Sequence, residues 1–246
     1  MTKILSASQV AEAADIIRKG GIVAFPTETV YGLGANVFDL KAVKKVYAAK
    51  GRPKDNPMIV HIANKADIYK VASEIPPLAK MLIAKYWPGP LTIVLKKSSA
   101  IPKEVTAGLA TVAVRMPSNK IALELIKLSN TPVAAPSANK SGKPSATSAQ
   151  HVLDDMNGKI DAVIDSGETD IGLESTVIDM TQKIPLLLRP GKISLEELRK
   201  LLGKVNVHAS VRKKTKSLAR SPGMKYRHYS PETELILVEK GNTHAL

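Results

Sequence analysis

The chain has no cysteine, two phenylalanines and a single tryptophan among its 246 residues. Without thiols there is no disulfide framework, no thiolate metal site and no cysteine nucleophile, and the composition suits a reducing compartment. No apolar run approaches the ~18 residues of a membrane span, and Met1 to Val10 carry no signal-type apolar stretch. The sequence is therefore expected to be a soluble cytoplasmic protein without membrane contact. Acidic residues are also scarce, 22 against 36 Lys and Arg, which gives a formal charge of +14. Such a surplus suits a polyanionic partner, either a nucleotide or RNA. Between Arg212 and Arg227 seven basic residues occur with no acidic one, a composition equally suited to a hydrated flexible linker. A chain of this length can bury about 70–75% of its unfolded surface, enough for one sizeable core with an appendage.

What is present is concentrated in short polar segments behind apolar runs. Ile22 to Phe25 are β-prone and Pro26 cannot donate to a sheet ladder, so a strand should end there. The following residues, Thr27, Glu28, Thr29, Tyr31, Gly32 and Gly34, read as a polar loop at a strand end. Asp39 fits a helix N-cap, and Leu40, Val43, Val46 and Tyr47 recur at helical spacing up to Gly51. Lys50, Arg52 and Lys54 then cluster near a helix C-terminus, where the helix dipole favours cations with or without a ligand. Taken alone, this loop is more often a solvated turn than a ligand contact.

Strands are expected at residues 22–25, 58–62, 91–96, 111–115, 133–135, 162–165, 176–179 and 186–188. Helices are expected at 8–19, 39–50, 77–87, 121–128, 149–156 and 195–202, the last opened by a Ser194/Glu197 capping box. Alternation of the two indicates an α/β fold. Strands joined without a helix, near 91–115 and 176–188, argue against a purely parallel sheet.

Several residues stand out for chemistry. Arg115 ends an apolar strand, where a lone charge is costly unless it clamps an anion or forms a structural ion pair. His61 lies within Met58-Ile-Val-His-Ile62, a place that also suits an ordinary hydrogen-bonded core histidine. Ser137, Asn139 and Ser145 belong to a Ser/Gly loop suited to phosphate or ribose contacts, or to a plain turn. No Gly-x-x-x-x-Gly-Lys-Ser/Thr pattern occurs, so the chain is not a P-loop NTPase. The five histidines show no ligand spacing, and no protein metal ligand is expected.

Phe25 to Gly34, Lys50 to Pro57, Met58 to Ile62, Thr111 to Pro117, Ala134 to Asn139 and Gly172 to Thr176 together resemble the YrdC family of threonylcarbamoyl-AMP synthases. Ser221 to Pro231 resembles the linker of the family's longer archaeal and eukaryotic branch. The resemblance spans residues 8 to 204. It implies an α/β fold with a twisted sheet, mixed parallel and antiparallel, helices, and a large open cavity on one face. It divides the chain into a catalytic domain (1–204), a basic linker or lid (205–231) and the start of a truncated C-terminal domain (232–246). The implied reaction joins L-threonine, bicarbonate and ATP, with Mg2+, into threonylcarbamoyl-adenylate and pyrophosphate. Thr27, Thr29, His61, Arg115 and Ser175 are the implied threonine-binding residues. Lys50, Arg52, Asn56, Thr111, Ala135, Ser137, Asn139, Ser145, Arg189 and Lys225 are the implied ATP-binding residues, with Ala135 contributing backbone only. No acid-base catalyst is implied, because each reactant carries an anionic group and the work is positioning and charge stabilisation. The implied downstream partner is a tRNA-modifying threonylcarbamoyltransferase complex. Two other classes fit parts of the sequence: an RNA-binding protein that contacts RNA through its basic surface, and a carbamoyl-transfer module like that of hydrogenase maturation factors. The latter carry cysteine-rich zinc segments that this chain lacks.

Overall fold

The computed structural model describes residues 1–212. Lys225, most of the basic run and most of the expected linker lie outside the described residues. Eleven strands form one sheet: β1 (Lys3–Ser6), β2 (Val23–Phe25), β3 (Gly32–Asn36), β4 (Ile59–His61), β5 (Leu91–Lys96), β6 (Thr111–Arg115), β7 (Val133–Ala135), β8 (Ala162–Asp165), β9 (Thr176–Asp179), β10 (Leu186–Arg189) and β11 (Asn206–Val207). The helices are α1 (Val10–Arg18), α2 (Leu40–Lys50), α3 (Ile68–Val71), α4 (Pro77–Tyr86), α5 (Lys120–Ser129), α6 (Ala149–Met156), α7 (Leu195–Leu202) and α8 (Ala209–Arg212).

Strand order is β1-β8-β2-β3-β7-β4-β6-β5-β9-β10-β11. The sheet is mixed as expected. β4 runs parallel to β6, whereas the directly joined pairs β5–β6 and β9–β10 are antiparallel.

The main departure from the sequence expectation is β3. Gly32 to Asn36 read as loop, yet they pair antiparallel with β2, Gly32 opposite Phe25 and Gly34 opposite Val23. The glycines serve packing here rather than a sharp turn. A Cβ on Gly34 would stand 2.8 Å from the Phe25 ring and 2.7 Å from Val133, so a side chain at that position would displace the ring. β1 was also unforeseen, and helix α1 begins at Val10 rather than Ser8. Ser6 and Gln9 form a capping box over a short 3-10 turn, Ala7–Gln9, which takes up the first residues.

Alternation along the strands separates two faces. Ala24, Leu33, Ala35, Val60, Val114, Leu91, Ile93 and Ile178 belong to the larger core, together with Ala42, Val43 and Val46 of α2, Leu82 of α4 and Leu198 of α7. Val23, Phe25, Val133 and Ala135 turn the other way, against Val10, Ala13, Ala14 and Ile17 of α1 and Leu125 and Ile126 of α5. The spacing of those α1 residues is that of a single helical stripe. Each large aliphatic side chain so buried contributes about 1.5–3 kcal/mol. Further along the sheet that second face carries Ile59, His61, Arg115 and Thr92, and there the cavity lies.

Two caps fix the ends of α2, whose C-terminal end meets this cavity. The Asp39 carboxylate accepts from the backbone N–H groups of Lys41 and Ala42, and Gly51 takes the left-handed conformation (φ 60°) at the C-terminus. Lys50 is thereby turned inward.

Candidate active site

A cavity of about 650 Å³, counted with its open mouth, is bounded by Thr27, Thr29, Lys50, Arg52, His61, Arg115, Ala135, Ser137, Asn139, Glu174, Ser175 and Arg189, among others. Four cations face two carboxylate side chains in or beside this space, Glu174 in its wall and Glu28 behind it.

Arg115 sits at the end of β6, 3% exposed. Its Nε donates to the Gly89 carbonyl (3.3 Å) and one Nη donates to Thr29 Oγ1 (2.8 Å). The other Nη lies 2.8 Å from Glu28 Oε1, an ion pair between two buried groups. The approach is poorly aligned for a hydrogen bond, so this Nη and both Glu28 oxygens have no well-directed partner. Burial lowers the Arg115 pKa and Glu28 raises it, and a guanidinium stays charged through such shifts. The structural ion pair and a cavity-facing guanidinium, weighed as alternatives in the sequence, therefore coexist.

The threonines before it form a chain. Thr27 Oγ1 lies 2.6 Å from the Val30 carbonyl, to which it donates, and 2.9 Å from Thr29 Oγ1. A hydroxyl has one proton, so Thr29 must donate to Thr27. Thr27 Oγ1 also accepts from the backbone N–H groups of Thr29 and Val30. Thr27, which also lines the cavity, thereby braces Thr29. Thr29 keeps one acceptor position.

His61 is buried beside Arg115 in register across β4 and β6. Desolvation, and then the Arg115 charge, push its pKa down to about 3. The imidazole is neutral at neutral pH, its Nδ1 has no partner, and its ring meets Phe25 edge-on at 6.1 Å. Ser175, fully buried before β9, has its Oγ 2.7 Å from Thr92 Oγ1 and accepts from an Arg189 Nη at 3.1 Å. Arg189 Nε also donates to the Ser175 carbonyl (3.0 Å). Thr92 was missed from sequence; its only signal was a hydroxyl inside the apolar run Leu91-Thr-Ile-Val-Leu95.

Lys50 and Arg52 are buried rather than solvated. Lys50 Nζ donates to the carbonyls of Ser137 (2.5 Å) and Asn139. The Lys50 carbonyl accepts from Ser141 N–H (2.9 Å). The lysine thus fastens the 137–141 loop at three points. Burial first, then the nearby Arg52 charge, push its pKa well below the usual lysine range, with Asp155 pulling the other way. Arg52 donates from Nε to the Asn56 carbonyl (3.1 Å) and from an Nη to the Pro57 carbonyl (2.7 Å).

The remaining expected residues divide. Ala135, Ser137 and Asn139 line the cavity; Asn139 Nδ2 donates to the carbonyls of Lys140 and Lys143, and its Oδ1 has no partner. Ser145 stands behind the wall, donating to Glu174 Oε1. Asn56 is buried with both side-chain atoms unpartnered and lies outside the lining. Thr111 is not brought to the cavity. It shares a face with Arg115 at the opposite end of β6, about 13 Å away by strand rise, in a separate depression with Asp179 and Thr181. The partnership of Glu28 with Arg115 was not visible in the sequence.

Among the described residues no group of three His, Cys, Asp or Glu side chains could hold a metal ion, and no helix is long and apolar enough to cross a membrane.

A mixed α/β sheet carrying a cation-rich cavity on one face defines an anion-binding domain, and comparison with known proteins narrows the class. The family model described as telomere recombination, covering the Sua5, YciO and YrdC proteins, matches residues 15–191. A second, described as the C-terminal domain of threonylcarbamoyl-AMP synthase, matches residues 193–246. The threonylcarbamoyl-AMP synthase of Pyrococcus abyssi is 59% identical over 92% of this chain and 67% of its own length. That of Bacillus subtilis is 50% identical over 94% of this chain and 67% of its own. The chain thus spans about two thirds of the length of these relatives. The crystal structure of P. abyssi Sua5 complexed with L-threonine superposes with a TM-score of 0.92 at 55% identity, over 95% of this chain and 70% of that one. Full-length HypF in its phosphate- and nucleotide-bound form aligns with a TM-score of 0.66 at 20% identity, over 74% of this chain and 28% of that one, a likeness of fold alone. The chain belongs to the threonylcarbamoyl-AMP synthase family, enzymes that make an adenylate.

Proposed function

We propose that this cavity condenses L-threonine, bicarbonate and MgATP into threonylcarbamoyl-adenylate and pyrophosphate. The observation that carries the reading is Arg115, a buried guanidinium in the cavity lining whose five N–H bonds exceed its three contacts, to the Gly89 carbonyl, Thr29 and Glu28. It is suited to the threonine carboxylate, since such a pair gains a charge-assisted, geometrically specific contact away from water. Thr29, His61 and Ser175 complete the amino-acid pocket. Thr29 offers an acceptor to the amino group, His61 a neutral ring, and Ser175 a hydroxyl held by Thr92 and Arg189. Thr27 braces Thr29.

The nucleotide is assigned to the adjoining wall of Lys50, Arg52, Ser137, Asn139 and Arg189, with Ala135 contributing backbone. Asn56 and Ser145 support this wall from behind. The threonine nitrogen first attacks the bicarbonate carbon, whose C–O bond breaks with loss of water to leave the carbamate; a carbamate oxygen then attacks the α-phosphorus and pyrophosphate departs. Developing charge on the phosphoryl oxygens meets fixed cations, the largest source of stabilisation in such a site. His61 is retained as a binding residue, because a ring titrating near 3 is a poor proton acceptor at neutral pH. Glu174, the carboxylate in the lining, is engaged by Ser145, so Mg2+ is read as entering with the triphosphate, held by phosphate oxygens and water. Residues 1–204 form the catalytic unit in this reading. The product is labile and is assigned to a threonylcarbamoyl-transfer step on tRNA.

The test is pyrophosphate release by the 246-residue chain with ATP and bicarbonate, with and without L-threonine. Release that requires threonine and is lost in Ser175→Ala supports the reading. Threonine-independent release, or none together with no threonine binding in calorimetry, overturns it.

A further inference from the structure

Glu28 is 5% exposed, and neither carboxylate oxygen has an aligned hydrogen-bond donor. Leaving an ionised group so poorly satisfied is expensive away from water, and the expense is tolerated where the group serves another. Its neighbour is the Arg115 Nη at 2.8 Å. Its backbone is fixed independently: the Glu28 carbonyl accepts from Ile171 N–H (3.0 Å), and the next carbonyl, that of Thr29, accepts from Gly172 N–H (3.0 Å). The carboxylate is therefore presented from a backbone clamped to the 171–175 segment, which carries Ser175.

Arg115 has five N–H bonds, all in one plane. The Gly89 carbonyl and Thr29 Oγ1 take one each, on the Nε and on one Nη. The remaining Nη stands against Glu28. With carbonyl, hydroxyl and carboxylate on three sides, rotation about the last side-chain bonds is blocked.

We infer that Glu28 is a positioning residue that sets the plane of the Arg115 guanidinium against the amino-acid substrate. Glu28 does not line the cavity, so it acts through Arg115. This inference rests on the proposed threonine reading of Arg115.

Positioning and simple charge neutralisation predict opposite signs. If Glu28 only neutralised Arg115, removing its charge would strengthen the attraction of Arg115 for a carboxylate. If it fixes the plane, losing the ion pair weakens threonine binding. The experiment is isothermal calorimetry of L-threonine and, separately, of a non-hydrolysable ATP analogue, on wild type and on the isosteric Glu28→Gln. The threonine Kd is expected to rise about tenfold, a fraction of the cost of breaking a buried ion pair, with the analogue Kd unchanged within twofold. Tighter threonine binding, or equal shifts for both ligands, overturns the inference. Should Glu28→Gln fail to fold, Glu28→Asp carries the test: it keeps the charge and withdraws the carboxylate by one methylene. A threonine-selective loss there supports positioning, and unchanged threonine binding overturns it. If wild type itself binds no threonine, the reading of Arg115 fails first, so the two failures are distinct.

Discussion

Gly191 provides the sharpest test of how packing sets the site. A Cβ at this position would lie 2.4 Å from Thr176 N, 2.6 Å from the Glu174 carbonyl oxygen and 2.8 Å from Ser175 C. All three are backbone atoms, so no side-chain rotation relieves the clash. Either the 174–176 segment or the chain leaving β10 must move by about 1 Å to reach ordinary contact. That segment is tied in place by the Ser175 contacts to Thr92 and Arg189 and by Thr176 Oγ1, which donates to the Ile193 carbonyl at 2.8 Å. Overpacking of this kind costs about 1–3 kcal/mol, and the rigid target places Gly191→Ala at the upper end. For a chain of this size, a loss near 3 kcal/mol corresponds to a Tm lowered by about 6–12 °C. Displacing Ser175 by a comparable distance is expected to reduce threonine-dependent pyrophosphate release about 10²-fold, the usual penalty for a 1 Å misplacement. Circular-dichroism melting and a coupled pyrophosphate assay measure the two effects on one preparation. An unchanged Tm together with unchanged turnover would refute the packing argument.

Three other outcomes are expected. The folded pKa of His61, about 3, lies below its ordinary value near 6.5. The unfolded chain therefore binds a proton that the folded chain refuses, and stability falls as pH drops from about 6.5 towards 3, by up to ~1.4 kcal/mol per pH unit. Urea titrations of wild type and His61→Asn across that range should differ by this slope, and parallel curves would disprove it. Lys50→Met frees the carbonyls of Ser137 and Asn139, loosening the 137–141 loop. The KM for ATP should rise at least tenfold, by the loss of a charged contact, while calorimetric threonine binding stays within twofold; equal losses would contradict the assignment. Asp39→Ala removes the N-cap of α2 and should cost about 1 kcal/mol by urea denaturation, whereas no change would mean the cap carries no energy.

Much of the architecture was legible where local chemistry decides it. The bounds of β5, β6, β7, β8 and β9, and of α6 and α7, were read directly, because apolar alternation and caps such as Ser194/Glu197 are local signals. β3 was hidden because Gly32 and Gly34 have low strand propensity, and the Phe25 ring that demands them is recognisable only once the strands are paired. The arrangement of the site was legible in composition but not in partnership. Arg115 and Thr29 stand 86 positions apart and meet because β2, β3, β7, β4 and β6 are neighbours in that order, which no local pattern encodes. Lys50 read as either a solvated basic turn or a ligand contact, and its burial was not legible because the carbonyls that hold it, those of Ser137 and Asn139, lie 87 and 89 positions away.

The same strands build the core and the site, and this ties stability to chemistry. His61 stands between Val60 and Ile62, Arg115 follows Val114, and Thr92 lies between Leu91 and Ile93; the aliphatic partners all face the larger core. Side chains alternate strictly along a strand, so a one-residue slip would drive Arg115 into that core and expose Val114. Burial of the aliphatic face therefore enforces the register on which the cavity depends. The polar face bears the opposite burden. Asn56, His61 Nδ1 and Asn139 Oδ1 have buried atoms without hydrogen-bond partners, each costing about 1–3 kcal/mol, and Glu28 has only its ion pair with Arg115. They are tolerated because the two apolar layers are already well filled, and those that line the cavity, His61 Nδ1 and Asn139 Oδ1, keep hydrogen-bonding capacity that a polar ligand can use.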